Sequence, residues 1–379
     1  MNFAGYFDPH VLAAIVAAVV TFGMALTLVL TQSMHGHLST DTLIGVQKFH
    51  TKPTPRIGGV ALGSGLIAAY LASDQTVREI LQPMLLAGVP AFAAGTVEDV
   101  TKRVGVLPRL LATMLSGVVA WSLTGVAMRN TGVGALDWVL AFTPVAVLFT
   151  AFAVGGVANA VNIIDGFNGL ASGAVAIMFA GLGLIALKVG DNSLASICFV
   201  FAAAMVGFGA INWPLGHIFL GDGGAYLIGF LLGWVAVLLP MRNPNVTAWA
   251  TLLACAYPVL EVAFSYRRKS KREGHHPGQP DKVHLHMLMY RRLSRKAYPQ
   301  ASRTLQNGLT SPFAWCYAAF PAFWAVVFFD NVWMLALGFI SAASVYWAIY
   351  QRLTQFKWCF EPSTMHPTHS PKAAGGGAS

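Results

Sequence analysis

The chain has 379 residues, 56% of them apolar and only 10% charged, with a mean hydropathy of +0.61 and a formal net charge of +9. A soluble chain carries roughly a quarter charged residues, so this composition excludes a disordered protein and a water-soluble enzyme and makes lipid the solvent for most of the surface. Nucleic acid is not an expected partner, because the Lys and Arg residues sit in short loops between apolar runs, where they orient a membrane protein and meet anionic headgroups.

A spanning helix needs about 20 mostly apolar residues. That ruler predicts eleven spans, at 11–30, 57–73, 80–97, 110–127, 138–157, 170–189, 193–211, 223–240, 247–265, 312–329 and 331–350. The first ten residues hold no Lys or Arg, so the first run is expected to be a retained span and not a cleaved signal peptide. The loops after odd-numbered spans are 31–56, 98–109, 158–169, 212–222 and 266–311; with the C-terminal tail they hold 20 of the 24 Lys and Arg. Only Arg78, Arg129, Lys188 and Arg242 fall on the other side. The positive-inside rule then puts these loops and the tail in the cytoplasm and the N-terminus outside. The expected fold is all-α, a polytopic integral membrane protein, with 1–350 as one transmembrane catalytic domain and 351–379 as a flexible cytoplasmic tail. Cys198, Cys255, Cys316 and Cys359 form no CxxC pair, which argues against a disulfide framework and a zinc site. Gly59/Gly63 and Gly229/Gly233 are GxxxG pairs, expected to mark close helix packing.

The polar chemistry crowds the cytoplasmic side. In the first loop, Lys48, Lys52 and Arg56 flank a Pro-rich turn with His50; they serve phosphate binding or ordinary membrane anchoring equally well. In the second, Glu98 and Asp99 adjoin Lys102, Arg103 and Arg109. Adjacent carboxylates at a membrane edge repel each other, which a divalent cation relieves; the alternative is a salt-bridge cluster. In the third, Asn159, Asn162 and Asp165 recur every three residues and share a helix face, with Asn168 following. Such a face suits hydroxyls, a nucleobase edge or the water shell of a metal better than lipid. In the fourth, Asp222 lies among Gly221, Gly223 and Gly224, which let backbone approach a ligand, although an acid there also caps a helix. Asn212 and His217 share that loop. The fifth holds His275, His276, Asp281, His284 and His286, better suited to hydrogen-bonding phosphate than to zinc. Residues 285–298 then alternate apolar and cationic side chains, like a helix lying on the cytoplasmic leaflet.

The segments "PTPRIGG", "NAVNIIDGFNGL", "FLGDGG" and "PDKVHLHML" occur in that order. Together they resemble the polyprenyl-phosphate N-acetylhexosamine-1-phosphate transferases over roughly residues 48–293. The resemblance implies attack of a membrane polyprenyl phosphate on a UDP-sugar, with Mg²⁺ and with Mn²⁺ as a substitute. Undecaprenyl phosphate and a UDP-N-acetylhexosamine are the implied substrates, membrane lipids surround the protein, and a homodimer is left open. The family's acidic pair falls on Glu98 and Asp99 and its following cations on Lys102 and Arg109. The nucleotide-side motif falls on Asn162 and Asp165, with Asn159 and Asn168 beside it. Asn212 precedes the metal-binding Asp222, which Asp99 joins as a metal ligand, and the histidine motif falls on Asp281, His284 and His286. Lys48 and Arg56 complete the implied substrate contacts. Glu98 stands where Asp is usual, Asn168 where many members have Asp, and Ala225 where Ser is common. The run His-Leu-His-Met lacks the three successive histidines of the peptidoglycan translocase and so points to the branch that starts O-antigen and related polysaccharides. The expected location is the bacterial cytoplasmic membrane. The rival readings are the phospho-MurNAc-pentapeptide translocase, a secondary transporter, and a scaffold subunit with a degenerate site. A transporter would place ionisable groups near the midplane, whereas here they crowd one face and only Glu261 is predicted within a span.

Overall fold

The computed structural model describes residues 9–41, 54–270 and 283–356. Lys48, His50, Lys52, His275, His276, Asp281 and Cys359 lie outside the described residues. The chain runs from α1 (Pro9–Leu30) into the short α2 (Gln32–Ser39). A two-residue antiparallel pairing of β1 (Thr40–Asp41) with β2 (Thr54–Pro55) is the only strand structure among the described residues. Then come α3 (Gly58–Ala72), α4 (Gln75–Thr101), α5 (Val106–Thr124), α6 (Gly134–Leu140), α7 (Thr143–Ile164), α8 (Leu170–Lys188), α9 (Asn192–Asn212) and α10 (Gly221–Arg242). After α11 (Ala248–Ala254) and α12 (Ala256–Ser270), α13 (Leu285–Met289) passes through a π-helical turn, Tyr290–Ser294, into α14 (Arg295–Ala297). The chain ends on α15 (Arg303–Gly308), α16 (Ser311–Val327) and α17 (Val332–Thr354).

Every predicted apolar run is helical. The helices α1, α4, α5, α7, α8, α9, α10 and α17 are each long and apolar enough to cross a membrane. The run expected at 247–265 is not one rod: α11 and α12 meet at Cys255 with a bend of 79°. The shorter α3 and α16, of 15 and 17 residues, account for the other two runs. This is an all-α multi-pass membrane protein. Helix ends carry the expected caps: Asp74 accepts from the Val77 N–H at the start of α4, and Asp191 from the Leu194 N–H at the start of α9. Lys102, in the left-handed region at φ 56°, closes α4.

The middle of the bundle is α10. Of its apolar stretch 89% is buried, against 22% for α1, α5 and α17. It packs on α7, α4 and α3. Small residues allow this: a Cβ at Gly229 or Gly233 would run into the α7 backbone at Ala158 or Val154. The other GxxxG pair is only half used, since Gly59 abuts Gly224 of α10 but nothing lies near Gly63.

Several predicted boundaries move. The run at 138–157 begins at Thr143, with Pro144 in its first turn, and continues to Ile164, so Asn159 and Asn162 are helical. The last helix extends to Thr354, four residues into the expected tail. Residues 285–297 are helical, but their apolar face turns inward: Leu285, His286, Met287, Leu288, Met289, Tyr290 and Leu293 are buried, while Arg295, Lys296 and Ala297 are exposed.

Candidate active site

Two sequence motifs form one structural unit. The Phe219 N–H donates to the Pro55 carbonyl at 2.8 Å, Gly58 N–H to Phe219 at 2.9 Å, and Gly59 N–H to Leu220 at 2.8 Å. This zipper lays "PTPRIGG" along "FLGDGG" and carries Arg56 to Asp222. The Arg56 guanidinium donates to Asp222 Oδ1 at 2.8 Å and reaches Asp99 Oδ1 at 3.4 Å. Arg109, from the first turn of α5, donates to Asp222 Oδ2, and Asn162 Nδ2 donates to Oδ1 at 3.2 Å. Asp222 is thus held between two arginines and an amide from three separate segments.

Asp99 sits behind it, 2% exposed. Its two oxygens accept the N–H groups of Asp222 and Gly223, each at 2.9 Å, and so cap the N-terminus of α10. Gly221, at φ +76°, starts that helix, and a side chain there would collide with the Arg56 carbonyl and the Asp99 carboxylate. Glu98 turns the other way: its Oε2 accepts the Val104 N–H at 2.7 Å and closes the turn between α4 and α5. Lys102 donates to the Asp99 carbonyl at 2.6 Å.

Asp165 follows the last turn of α7. Its carboxylate accepts no hydrogen bond among the described residues, and its pKa is pushed up to about 7. Burial is the main cause; Arg56 pulls it down while Asp222 and Asp99 push it up. Asp165, Asp99 and Asp222 therefore feel one another across one cleft. Tyr226, one turn beyond Asp222 on α10, adds its hydroxyl to Asn162 Oδ1 at 3.4 Å and its ring beneath Arg109, 6.0 Å from the guanidinium. It was not among the predicted residues; its spacing of four from Asp222 is the signal that would have found it.

The other predicted amides hold the frame. Asn159 donates to Thr113 Oγ1 at 3.1 Å and to the Gly155 carbonyl at 2.8 Å, stitching α7 to α5. Asn212 accepts the Gly169 N–H at 2.5 Å and donates to Ile218 at 2.7 Å. Asn168 donates its amide to the Pro214 carbonyl at 3.0 Å, while its backbone is held by Asn307 and Ser311. Asn307 and Ser311 carry no sequence signal of their own, lying in a short mixed polar stretch before an apolar run. His217 is exposed. His284 and His286 are buried, their rings stacked with 5.4 Å between centroids, and His286 meets Phe167 edge-on at 5.5 Å, beside Gly166.

Among the described residues no three His, Cys, Asp or Glu side chains form a metal cage by themselves. The donor set still fits Mg²⁺, which takes one or two carboxylates and completes its shell with water and substrate phosphates. An unpartnered Asp165 carboxylate beside Asp222 is the feature that such an ion would relieve.

The chain was also compared with known proteins. The model of the family described as Glycosyl transferase family 4 matches residues 81–240. The chain is 30% identical over 260 residues to the undecaprenyl-phosphate alpha-N-acetylglucosaminyl 1-phosphate transferase of Salmonella typhi, spanning 66% of this chain and 70% of that one. The protein of the same name from Yersinia pestis is 29% identical over 260 residues, with the same coverage. The decaprenyl-phosphate N-acetylglucosaminephosphotransferase of Mycolicibacterium smegmatis is 30% identical over 274 residues, 62% of this chain and 65% of that one. The matched stretch contains Asp99, Arg109, Asn162, Asp165 and Asp222, the residues that meet in the cleft. The chain belongs to glycosyl transferase family 4, the polyprenyl-phosphate N-acetylhexosamine-1-phosphate transferases.

Proposed function

We propose that the protein transfers N-acetylglucosamine 1-phosphate from its UDP-sugar to undecaprenyl phosphate in the bacterial cytoplasmic membrane, with Mg²⁺, as a first step toward a cell-surface polysaccharide. The observation that carries this reading is Asp222 flanked by Arg56 and Arg109 in a cleft that also faces Asp99 and Asp165. The names of the relatives supply the sugar and the lipid.

Both substrates are anionic, so charge neutralisation comes first. Asp99, Asp165 and Asp222 share Arg56 and Arg109 in the cleft before either substrate enters, and an added cation would relieve the repulsion among the three acids. Asp222 and Asp165 would hold Mg²⁺, with Asp99 behind them. Bound there, the ion supplies Lewis-acid stabilisation of the phosphoryl oxygens. Arg56 and Arg109 are placed to turn from Asp222 to the diphosphate. Asn162, fixed by Tyr226, orients the nucleotide side.

A phosphomonoester has a second pKa of about 6, so the lipid phosphate is largely dianionic at pH 7 and needs no strong general base. Its oxygen forms the new bond to the β-phosphorus while the bond from that phosphorus to the bridging oxygen breaks, and UMP leaves with the electron pair. A covalent intermediate on Asp99 is disfavoured, because both of its oxygens already accept backbone N–H groups and it is 2% exposed.

The test is UMP release by purified protein in detergent, with Mg²⁺, undecaprenyl phosphate and a panel of UDP-N-acetylhexosamines. Lipid-dependent release is expected with UDP-N-acetylglucosamine, and Asp222→Asn is expected to lower it by about 10²-fold or more. No release with any donor from folded protein would sink the reading.

A further inference from the structure

The last third of the chain carries a charge excess that the cleft does not use. The described residues from 262 to 356 hold nine Lys and Arg and one acid. That acid, Asp330, precedes the start of α17, at the opposite end of the helix from Arg352. The nine cations come from the last turn of α12, the π-helical turn and α14, the start of α15, and the last turn of α17. In the cleft, Arg56 and Arg109 each meet Asp222. Among the described residues no carboxylate pairs with Arg267, Arg291, Arg292 or Arg352.

Two arginines of this patch, both half-buried, are held against aromatic rings at the end of α17. Arg268 donates from Nη1 to Tyr350 Oη at 3.2 Å and from Nη2 to Ser265 Oγ at 3.3 Å, with its guanidinium 5.3 Å from the Tyr350 ring centroid. The Arg292 guanidinium lies 3.5 Å from the centroid of Phe356, and its buried Nε finds no acceptor among the described residues. Phe356, just past α17, is in the left-handed region at φ 58°, a conformation that a bulky side chain adopts at a cost. Deeper along the same two helices, Phe264 stacks on Trp347 with 5.9 Å between centroids. Phe264 is one turn before Arg268, Trp347 is one turn before Tyr350, and Trp347 is exposed on the surface that faces lipid.

Charge that only orients a membrane protein needs number, not geometry. Here two long side chains have given up rotamer freedom against rings, and a guanidinium nitrogen is buried without an acceptor, which costs stability unless an anion meets it. A planar guanidinium held by its face presents its N–H edge, the arrangement that recognises phosphate oxygens. Exposed aromatics directly below require that the bearer of the phosphate also have an apolar part lying in the bilayer. A zwitterionic headgroup would bring its own cation into a patch of cations, so the net-negative headgroup is favoured.

We infer that an anionic phospholipid binds at the junction of α12, the π-helical turn and α17, with its phosphate on Arg268 and Arg292 and an acyl chain along Phe264 and Trp347. The lipid is a bound neighbour that ties α12 to α17, distinct from the lipid acceptor in the transferase reading, and the inference does not depend on that reading.

The experiment is native mass spectrometry of the full-length protein in detergent, with phosphatidylglycerol or phosphatidylcholine added at equal concentration. The wild type is expected to retain one phosphatidylglycerol at least about fivefold more than phosphatidylcholine, and Arg268→Gln and Arg292→Gln each to lower that retention about fivefold. Phe356→Ala, which leaves the charge and frees Arg292, should lower it less. Arg295→Gln with Lys296→Gln, two exposed positions, should leave it unchanged. Phosphatidylglycerol should also raise the thermal unfolding midpoint of the wild type more than that of the Arg268→Gln, Arg292→Gln double variant. Equal retention of the two lipids by the wild type overturns the inference, and this needs no variant to fold. A loss in Arg295→Gln with Lys296→Gln as large as in the Arg268 and Arg292 variants overturns it in favour of unlocalised attraction. Displacement of phosphatidylglycerol by undecaprenyl phosphate, one for one, overturns it as well, because the site would then be the acceptor's own. Selective retention by a protein that releases no UMP supports the inference and counts against the transferase reading alone.

Discussion

Asp165 and Asp222 are both acids of one cleft, yet their surroundings give them different work. Asp222 has each oxygen taken by an arginine or an amide. Asp165 has none of these partners, and burial beside two other acids pushes its pKa up to about 7. Because that value lies above the ordinary 3.8, the native state holds a proton that the unfolded chain releases. The stability this contributes is complete below about pH 4 and is lost as pH rises through about 7. Thermal unfolding in detergent should therefore show a midpoint that falls between those pH values in wild type and a flatter profile in Asp165→Asn. Mg²⁺ should raise the wild-type midpoint more at pH 8 than at pH 5, because only the ionised carboxylate binds it; an equal effect at both would separate Asp165 from the ion. The acids and arginines were legible in the sequence because charge at a membrane edge is expensive and seldom idle. The amides were less so. Asn168 and Asn212 look like ligands in a string of letters, but Asn212 spends its donor and acceptor on loop backbone and Asn168 donates its amide to the Pro214 carbonyl. Asn168 donates to a carbonyl, which an Asp could not do, so the departure at this position has a structural reason. Glu98 has one as well: its carboxylate reaches Val104.

At the scale of elements, the site is made by a helix terminus meeting two neighbouring segments at very short range. The N-terminus of α10 is approached by α3 at Gly59 and by α4 at Gly95, where a Cβ would lie 2.5 Å from the Asp222 backbone. Asp99 completes the contact by accepting two N–H groups that would otherwise be orphaned. Asp99→Ala should then act as a loss of cap, costing about 2 kcal/mol of stability as well as activity. Asp99→Asn, which retains one acceptor, should unfold at a midpoint between the two. If Asp99 were instead a nucleophile with no capping role, both variants would be inactive and both would melt like wild type. The helices themselves were read from apolar run length, and all eleven runs are helical. The bend at Cys255 was not, because the seven residues before it, apolar but for Thr251, run straight into an apolar turn, and only Pro258 in the first turn of α12 marks the restart. Nor was the burial of the apolar side chains from Leu285 to Leu293. The arginines of this segment suggested a surface helix, whereas its apolar side chains face α16 and α17.

Across the whole molecule, polar groups separate to the two ends of the bundle. One end collects Arg56, Asp99, Arg109, Asn162 and Asp222 in direct contact, with His286 against the loop of Asp165. The four cations predicted for the opposite end behave differently. Arg78 donates to the carbonyls of Tyr70 and Leu71, Arg129 to Ala141, and Lys188 to Val326, while Arg242 pairs with Asp191. Three of them thus satisfy carbonyls at or just past helix C-termini, where a positive charge is favoured by the helix dipole. They are accounted for locally and need not bear on orientation, which leaves the remaining 20 Lys and Arg as the orienting charge. By the positive-inside rule the same asymmetry predicts a cytoplasmic cleft, on the side where a nucleotide sugar is made. Labelling of single cysteines tests it. In a background with Cys316 and Cys359 replaced by alanine, Ser193→Cys and Asn130→Cys should react with a membrane-impermeant maleimide on intact spheroplasts. Lys296→Cys and Arg103→Cys should react only after permeabilisation. The reverse pattern would turn the molecule over and put Arg56 and Arg109 out of reach of cytoplasmic UDP-sugars, which no argument from the cleft alone could repair.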